Sequence, residues 1–216
     1  MPPRIAAGAV CWLLTAEFFL VQLAAGAAAT GYRPLDDDIS LLGVTSCAAF
    51  ADPLSAGLLH LCSPLHGVMN AGFFALGLLT LAGVGLTLPL WRGVAGRLGA
   101  GAVAVASLGT VASGAWPVNV NAALHGVGAL IYFFFAGIGI ALLGVSQHRR
   151  APLLAAASWG VGVGGLVAFF AYPHYAALFM PRGLLERVAG YPSTLWFVGT
   201  AVLILGGVLA APESEP

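Results

Sequence analysis

Six apolar runs, approximately residues 5–29, 67–91, 98–115, 123–145, 153–172 and 193–211, constrain this chain more than any other feature. Each has the length, about 18–25 residues, that carries a helix across roughly 30 Å of hydrocarbon. Lipid offers no water to an open backbone, and the runs lack the alternation of barrel strands, so helices are expected. Charge is correspondingly scarce: eight acidic residues, eight arginines and no lysine, 7% of positions, against about a quarter in a soluble domain. The predicted fold is all-α, one polytopic bundle of six transmembrane helices over residues 1–216. Its outer loops are predicted at 30–66, 116–122 and 173–192.

A cleavable leader is the rival reading of the first run, because Arg4 precedes an apolar stretch that ends in AAGAAAT. A leader core is about 7–15 residues long; this run is longer and carries Glu17 in its middle, so a retained first span is expected. Arginine placement sets the expected orientation. Arg4, Arg92, Arg97, Arg149 and Arg150 fall on one side, and Arg33, Arg182 and Arg187 on the other. Positive charge near span ends favours the cytoplasm, which predicts a cell-membrane protein with both termini cytoplasmic.

Glycine is abundant, thirty residues, and in a membrane small residues about four apart let helices approach closely. Gly160 and Gly164 have that spacing and mark an expected contact face. A second pattern is an echo: Leu65-His66-Gly67-Val68 opens the second span and Leu124-His125-Gly126-Val127 the fourth, while Trp116-Pro117 and Tyr172-Pro173 end the third and fifth. It is compatible with three repeated helical hairpins.

The loops hold most of the polar residues. GYRPLDDDISLLG turns at Pro34 and predicts a short helix, capped by Asp36 to Asp38, lying along the membrane surface. WPVNVNAALHG reads as a tight outer connection, with Asn119 or Asn121 able to cap the following helix. Cys47 and Cys62 share the first outer loop, where they are either a disulfide, worth about 3 kcal/mol, or two thiols. Cys11 stands alone in the first span.

Four histidines, His60, His66, His125 and His174, fall on the expected outer side. His66 and His125 occupy first turns of helices, where the helix dipole favours neutral imidazole. With Asp36, Asp37, Asp38, Asp52 or Glu186, the set His66, His125 and His174 supplies a conceivable zinc site with an open position for water. The competing reading has these histidines bonding loop carbonyls, since no HExxH or HxH pattern enforces ligand geometry. Glu17 lacks any lysine partner and is expected as the neutral acid, bonded to Thr80, Ser107 or Thr110 or serving a proton or ligand. Asn70, one turn below His66, has the same two readings. The lack of lysine excludes a retinal Schiff base; no GxxxxGK[ST] loop, arginine ladder or basic nucleic-acid surface is present.

GYRPLDDDISLLG, Asn70 in the second span, SGAWPVNVNAALHG and PRGLLERVAGYPSTLW together resemble the prokaryotic membrane family catalogued as domain of unknown function number 998. The resemblance covers nearly all six spans. It rests on Tyr32, Pro34, Asp38 and Ile39-Ser40-Leu41-Leu42-Gly43, on Trp116-Pro117 with His125-Gly126, and on Gly183, Glu186 and Arg187. Where that family often has an aspartate after the aromatic-proline pair, this chain has Asn119 or Asn121. The family is itself distantly similar to a eukaryotic six-span group that includes autophagy-modulator membrane proteins, some linked to lipid remodelling.

These motifs cluster at the expected outer surface, so Asp38, Ser40, Asn70, Asn119, His125, Glu186 and Arg187 are expected to form one polar pocket. A pocket at that depth suits a lipid or amphiphile head group, with its chain between glycine-lined helices. The alternatives are a zinc-assisted hydrolase or transferase acting on lipid through His66, His125 and His174, and a subunit packing against another membrane protein or a second copy.

Overall fold

Each of the six apolar runs is helical in the computed structural model, which describes residues 1–52 and 57–209. The predicted end of the sixth run at 211 lies outside the described residues. Helices α1 (Pro3–Leu14) and α2 (Glu17–Ala28) together form the first span. The other five spans are built on α3 (His66–Thr87), α4 (Gly93–Ala115), α5 (Ala122–Gln147), α6 (Pro152–Ala171) and α7 (Arg182–Leu205). All six are long and apolar enough to cross a membrane. Successive spans pack on each other, and α7 returns to pack on α1, so the spans close a ring in chain order. The connections 29–65, 116–121 and 172–181 lie at one end of that ring, the loop-rich end; the chain termini lie at the other, the terminal end.

A tryptophan cluster fills the terminal half. Trp12 is fully buried against Trp91, Trp196 and Phe197, with ring centroids 5.9, 5.9 and 5.3 Å away. Each indole N–H finds an acceptor: Trp12 donates to the Thr80 carbonyl, Trp91 to Thr87 Oγ1 and Trp196 to Ser158 Oγ. Indoles buried this way add packing area without leaving a donor unsatisfied. Just above the cluster the first span breaks at Thr15 and Ala16, where Thr15 Oγ1 donates to the Trp12 carbonyl and the N–H groups of Thr15, Ala16, Phe18 and Phe19 shift to i−3 acceptors. Glu17 opens α2 at that break.

Glycine sets how closely neighbouring spans approach. A Cβ on Gly99 would come within 2.9 Å of the Gly139 carbonyl, and one on Gly128 within 2.8 Å of the Gly109 carbonyl, tying α4 to α5. On the next pair, a Cβ on Gly137 would sit 2.9 Å from the Gly162 carbonyl. The predicted face at Gly160 and Gly164 is not the one used: both are exposed and have open space around them. Gly162 and Gly165 are the buried glycines of α6, one register over.

Two features of the loop-rich end depart from expectation. The short segment Ile39–Gly43 is a 3₁₀ helix, but none of the aspartates Asp36 to Asp38 caps it through its side chain, and it does not lie on a surface. All five residues are buried in the mouth of the ring, because Ile39, Leu41 and Leu42 are apolar and their backbone finds partners there. Asn70 Nδ2 donates to the Gly43 carbonyl and Ser63 Oγ to the Leu42 carbonyl. Helix α7 also begins within the stretch predicted as the loop 173–192. Pro192 removes a donor and predicts a stop, but the helix runs through it. Ala189 and Gly190 before the proline, and Ser193 and Thr194 after it, are all buried against the ring, and that packing carries the helix across. The first connection adds a small hairpin, β1 (Phe50–Ala51) with β2 (Leu58–Leu59), and a disulfide between Cys47 and Cys62.

The Trp12 packing requires a bare α-carbon at Gly83, since a Cβ there would overlap the indole ring, whereas one at Gly85 would meet nothing. Gly83→Ala is therefore expected to cost about 1–3 kcal/mol, the usual range for overpacking. Gly85→Ala should leave the unfolding midpoint of the reconstituted protein unchanged; equal midpoints for both would refute the close fit.

Candidate functional site

The first turn of α7 organises the loop-rich end. A helix start leaves its first N–H groups without partners, and here the first connection supplies them: Gly183 N–H donates to the Asp36 carbonyl and Leu184 N–H to the Leu35 carbonyl at 2.8 Å. Gly183 permits this approach because a Cβ would overlap the Asp37 backbone. Arg187, one turn on, donates to the Asp37 carbonyl at 3.1 Å, to the Gly183 carbonyl at 2.8 Å and to the Tyr32 hydroxyl. Its guanidinium lies over the Tyr32 and Tyr191 rings, 5.9 and 6.0 Å from their centroids. Burial pushes the Tyr32 hydroxyl above its ordinary value, against the pull of Arg187, so it stays protonated.

Seated this way, the connection brings carboxylates to Arg182. The Arg182 side chain is only 4% exposed; its Nε sits 3.1 Å from Asp38 Oδ2 and its NH1 2.9 Å from both oxygens of Asp52. Burial raises the Asp38 carboxyl above its ordinary value, with Arg182 pulling it back down. Asp38 Oδ1 is buried without a hydrogen-bond partner, although the Tyr172 hydroxyl lies close enough to interact with the carboxyl group. Glu186, one turn after Arg182, accepts the Ile39 N–H.

Beside these groups a cavity of about 430 Å³ opens between α5, α6 and α7. Its polar lining is Asp38, Ser40, His125, Tyr172 and Glu186; the apolar lining includes Ala129, Leu130, Phe133, Phe169 and Phe170. Leu130 and Phe170, at 54% and 58% exposure, put the open side of the cavity on the outside of the bundle. A smaller space of about 40 Å³ inside the ring shares Ser40, His125, Ala129, Phe133 and Glu186 with it. The cavity exists because α5 and α6 change character along their length. At Gly137 and Gly162 they touch backbone to backbone; closer to the loops the space holds Phe133 stacked on Phe169, centroids 5.8 Å apart, and Phe134 edge-on to Phe170.

His125 carries a defined proton. Its Nδ1 faces two carbonyls, Ser113 at 3.2 Å and Trp116 at 3.0 Å, and carbonyls only accept, so Nδ1 bears the hydrogen. The neutral ring then keeps Nε2 as an acceptor.

Of the seven residues expected in one polar pocket, Asp38, Ser40, His125 and Glu186 line the cavity. The other three brace the loops. Asn70 holds Gly43, Arg187 holds Tyr32 and Asp37, and Asn119 exchanges hydrogen bonds with Thr45, leaving Asn121 to cap α5 through Leu124 N–H. The zinc set does not assemble. Among the described residues no three His, Cys, Asp or Glu side chains are placed to hold a metal ion. His66 Nδ1 is engaged by the Ser63 carbonyl, His125 Nδ1 by its two carbonyls, and His174 is exposed at the end of the turn after α6. The expected bond from Glu17 is not seen: among the described residues its Oε1 has no partner, and both Ser107 and Thr110 bond back to their own helix.

Arg182, Tyr172 and the phenylalanines escape the sequence reading. The signal for Arg182 was present, since it stands four residues before Glu186 and a helix puts both on one face. A helical start at 182 is what makes that spacing meaningful.

The family model described as Protein of unknown function (DUF998) matches residues 7–203. The chain belongs to this family. No curated protein and no solved structure matches it. Of the residues that carry the DUF998 resemblance, Gly183, Arg187 and Tyr32 seat the first connection on α7, and Asp38, Ser40, His125 and Glu186 face the cavity.

A lysine at 187 keeps the charge but cannot reproduce the guanidinium's fork or its stacking. Arg187→Lys is expected to weaken the seating by about 1–3 kcal/mol, the scale of hydrogen bonds from a charged donor. Hydrogen exchange at the Gly183 and Leu184 amides should then quicken by roughly tenfold or more; unchanged exchange would mean that Arg187 does not hold the loop.

Proposed function

We propose that this DUF998 protein binds a membrane lipid or other amphiphile in the cavity between α5, α6 and α7, its head group among the polar residues and its chain along the phenylalanines. We further place the loop-rich end on the outer face of the cell membrane, following the arginine distribution, with both termini cytoplasmic. The observation that carries the reading is the cavity's two-sided chemistry. Asp38, Ser40, His125, Tyr172 and Glu186 gather at one part of its wall, and the rest is apolar and opens past Leu130 and Phe170 toward the region lipid occupies. A volume of about 430 Å³ lies in the range of sites for small organic ligands. Lateral opening lets an amphiphile enter without leaving the bilayer.

Ala129 lines the cavity and is half-buried, so a bulky residue there fills the space from inside. Wild-type protein released from nanodiscs is expected to retain about one amphiphile per chain by native mass spectrometry, and Ala129→Trp to retain at least about tenfold less. Equal retention by the two would overturn the assignment.

A further inference from the structure

The cavity's polar lining is built of acceptors, and this points to the class of head group it takes, an inference that rests on the binding function proposed above. Two carboxylates, Asp38 and Glu186, face it, and no arginine is among the residues that line it. The nearby cations are already committed: Arg182 to Asp38 and Asp52, Arg187 to Tyr32 and two carbonyls. His125 presents an acceptor at Nε2, because its hydrogen is fixed on Nδ1 by two carbonyls. The hydroxyls of Ser40 and Tyr172 can accept as well as donate. An orphaned acceptor completes the set. Asp38 is 5% exposed, and among the described residues its Oδ1 has no hydrogen-bond partner of ordinary geometry, the Tyr172 hydroxyl being the group beside the carboxyl.

A phosphate or carboxylate brought here would meet carboxyl groups and, among the described lining residues, no arginine to pair with it. An ammonium group offers up to three donors and a positive charge to the same surroundings. Tyr172 adds an aromatic ring to the polar lining, and aromatic rings attract cations. We infer that the cavity selects an amphiphile with an ammonium head group, held by Asp38, Glu186 and His125, over anionic and neutral amphiphiles of equal chain length. The source is either the ethanolamine head group of a bilayer phospholipid or a single-chain amine.

The test uses the full chain in dodecyl maltoside and three probes of one length: dodecylamine, dodecanol and lauric acid, their dissociation constants read by native mass spectrometry. Dodecylamine is expected to bind at least about tenfold more tightly than either of the others, the difference expected of charge-assisted over neutral hydrogen bonds. Glu186→Gln keeps an acceptor for the Ile39 N–H, and Asp38→Asn leaves Arg182 its Asp52 partner. In each variant the preference should shrink to within about threefold while dodecanol binding persists, which also reports that the fold is intact. Equal binding of all three probes to the wild type, abolished by Ala129→Trp, would overturn the head-group inference and leave the binding function standing. Binding of none of them, or binding indifferent to Ala129→Trp, would remove both. Nanodiscs of equal phosphatidylethanolamine and phosphatidylglycerol separate the sources. Retained ethanolamine lipid assigns the bilayer source, dodecylamine binding with no lipid retained assigns the single-chain amine, and enrichment of the glycerol lipid would refute the inference.

Discussion

The seating of the first connection on the first turn of α7 is the constraint on which the loop-rich end depends. Helix starts in or near hydrocarbon cannot leave N–H groups open, since each unsatisfied group there costs several kcal/mol. In this chain the acceptors come from Leu35 and Asp36, and the bare α-carbon of Gly183 lets that backbone come close. The residues that follow inherit their positions from that contact. Asp38 arrives at Arg182, Ile39 N–H at Glu186, and the 3₁₀ segment drops into the ring, where Asn70 and Ser63 hold its far end. A one-residue slip of the connection on α7 would separate all of these pairs together.

Buried charge at that contact carries a desolvation cost as well as an attraction. Removing a guanidinium and two carboxylates from water costs several kcal/mol per ion, and their attraction repays this only when the remaining lone pairs and protons are satisfied. Satisfaction here is uneven. Asp52 receives Arg182 NH1 at both oxygens, Asp38 receives Nε at one, and the second Asp38 oxygen has no partner of ordinary geometry among the described residues, only the nearby Tyr172 hydroxyl. One guanidinium shared by two acids leaves acceptor capacity over, and that excess lies against a cavity rather than against packed side chains.

Span number and approximate span limits were legible because length and hydropathy are local properties of the chain. The register of contact was not. Gly160, Gly162, Gly164 and Gly165 fall within six residues of α6, so small-residue spacing fits either of two faces, and only the neighbouring helices decide between them. The start of α7 was hidden by Pro192, whose local effect predicts an end and whose tertiary surroundings overrule it. With that helix unread, the i,i+4 relation of Arg182 to Glu186 had no structural meaning. The polar pocket was legible as a neighbourhood and not as a wall, since Asn70, Asn119 and Arg187 have the same residue chemistry as lining groups yet spend it on loop backbone and loop side chains. The histidines failed as a zinc set for a related reason: carbonyls of nearby turns satisfy His66 and His125 before any ion is needed.

The two layers of the site have different sensitivities, and this governs how any change in it is to be read. Arg187, Gly183 and Asn70 act through the position of the first connection, so altering them moves Asp38 and Ser40 as well as destabilising the end of the bundle. Phe133 and Phe169 act differently. The cavity is the space left where a backbone-to-backbone glycine contact at Gly137 and Gly162 gives way, toward the loops, to stacked rings. Shrinking those rings lets α5 and α6 close along the glycine seam, because close packing there is already favoured. The cavity's volume therefore depends on a step in side-chain size along two helices, while its polarity depends on a loop seated on a third. Its two halves can be altered independently.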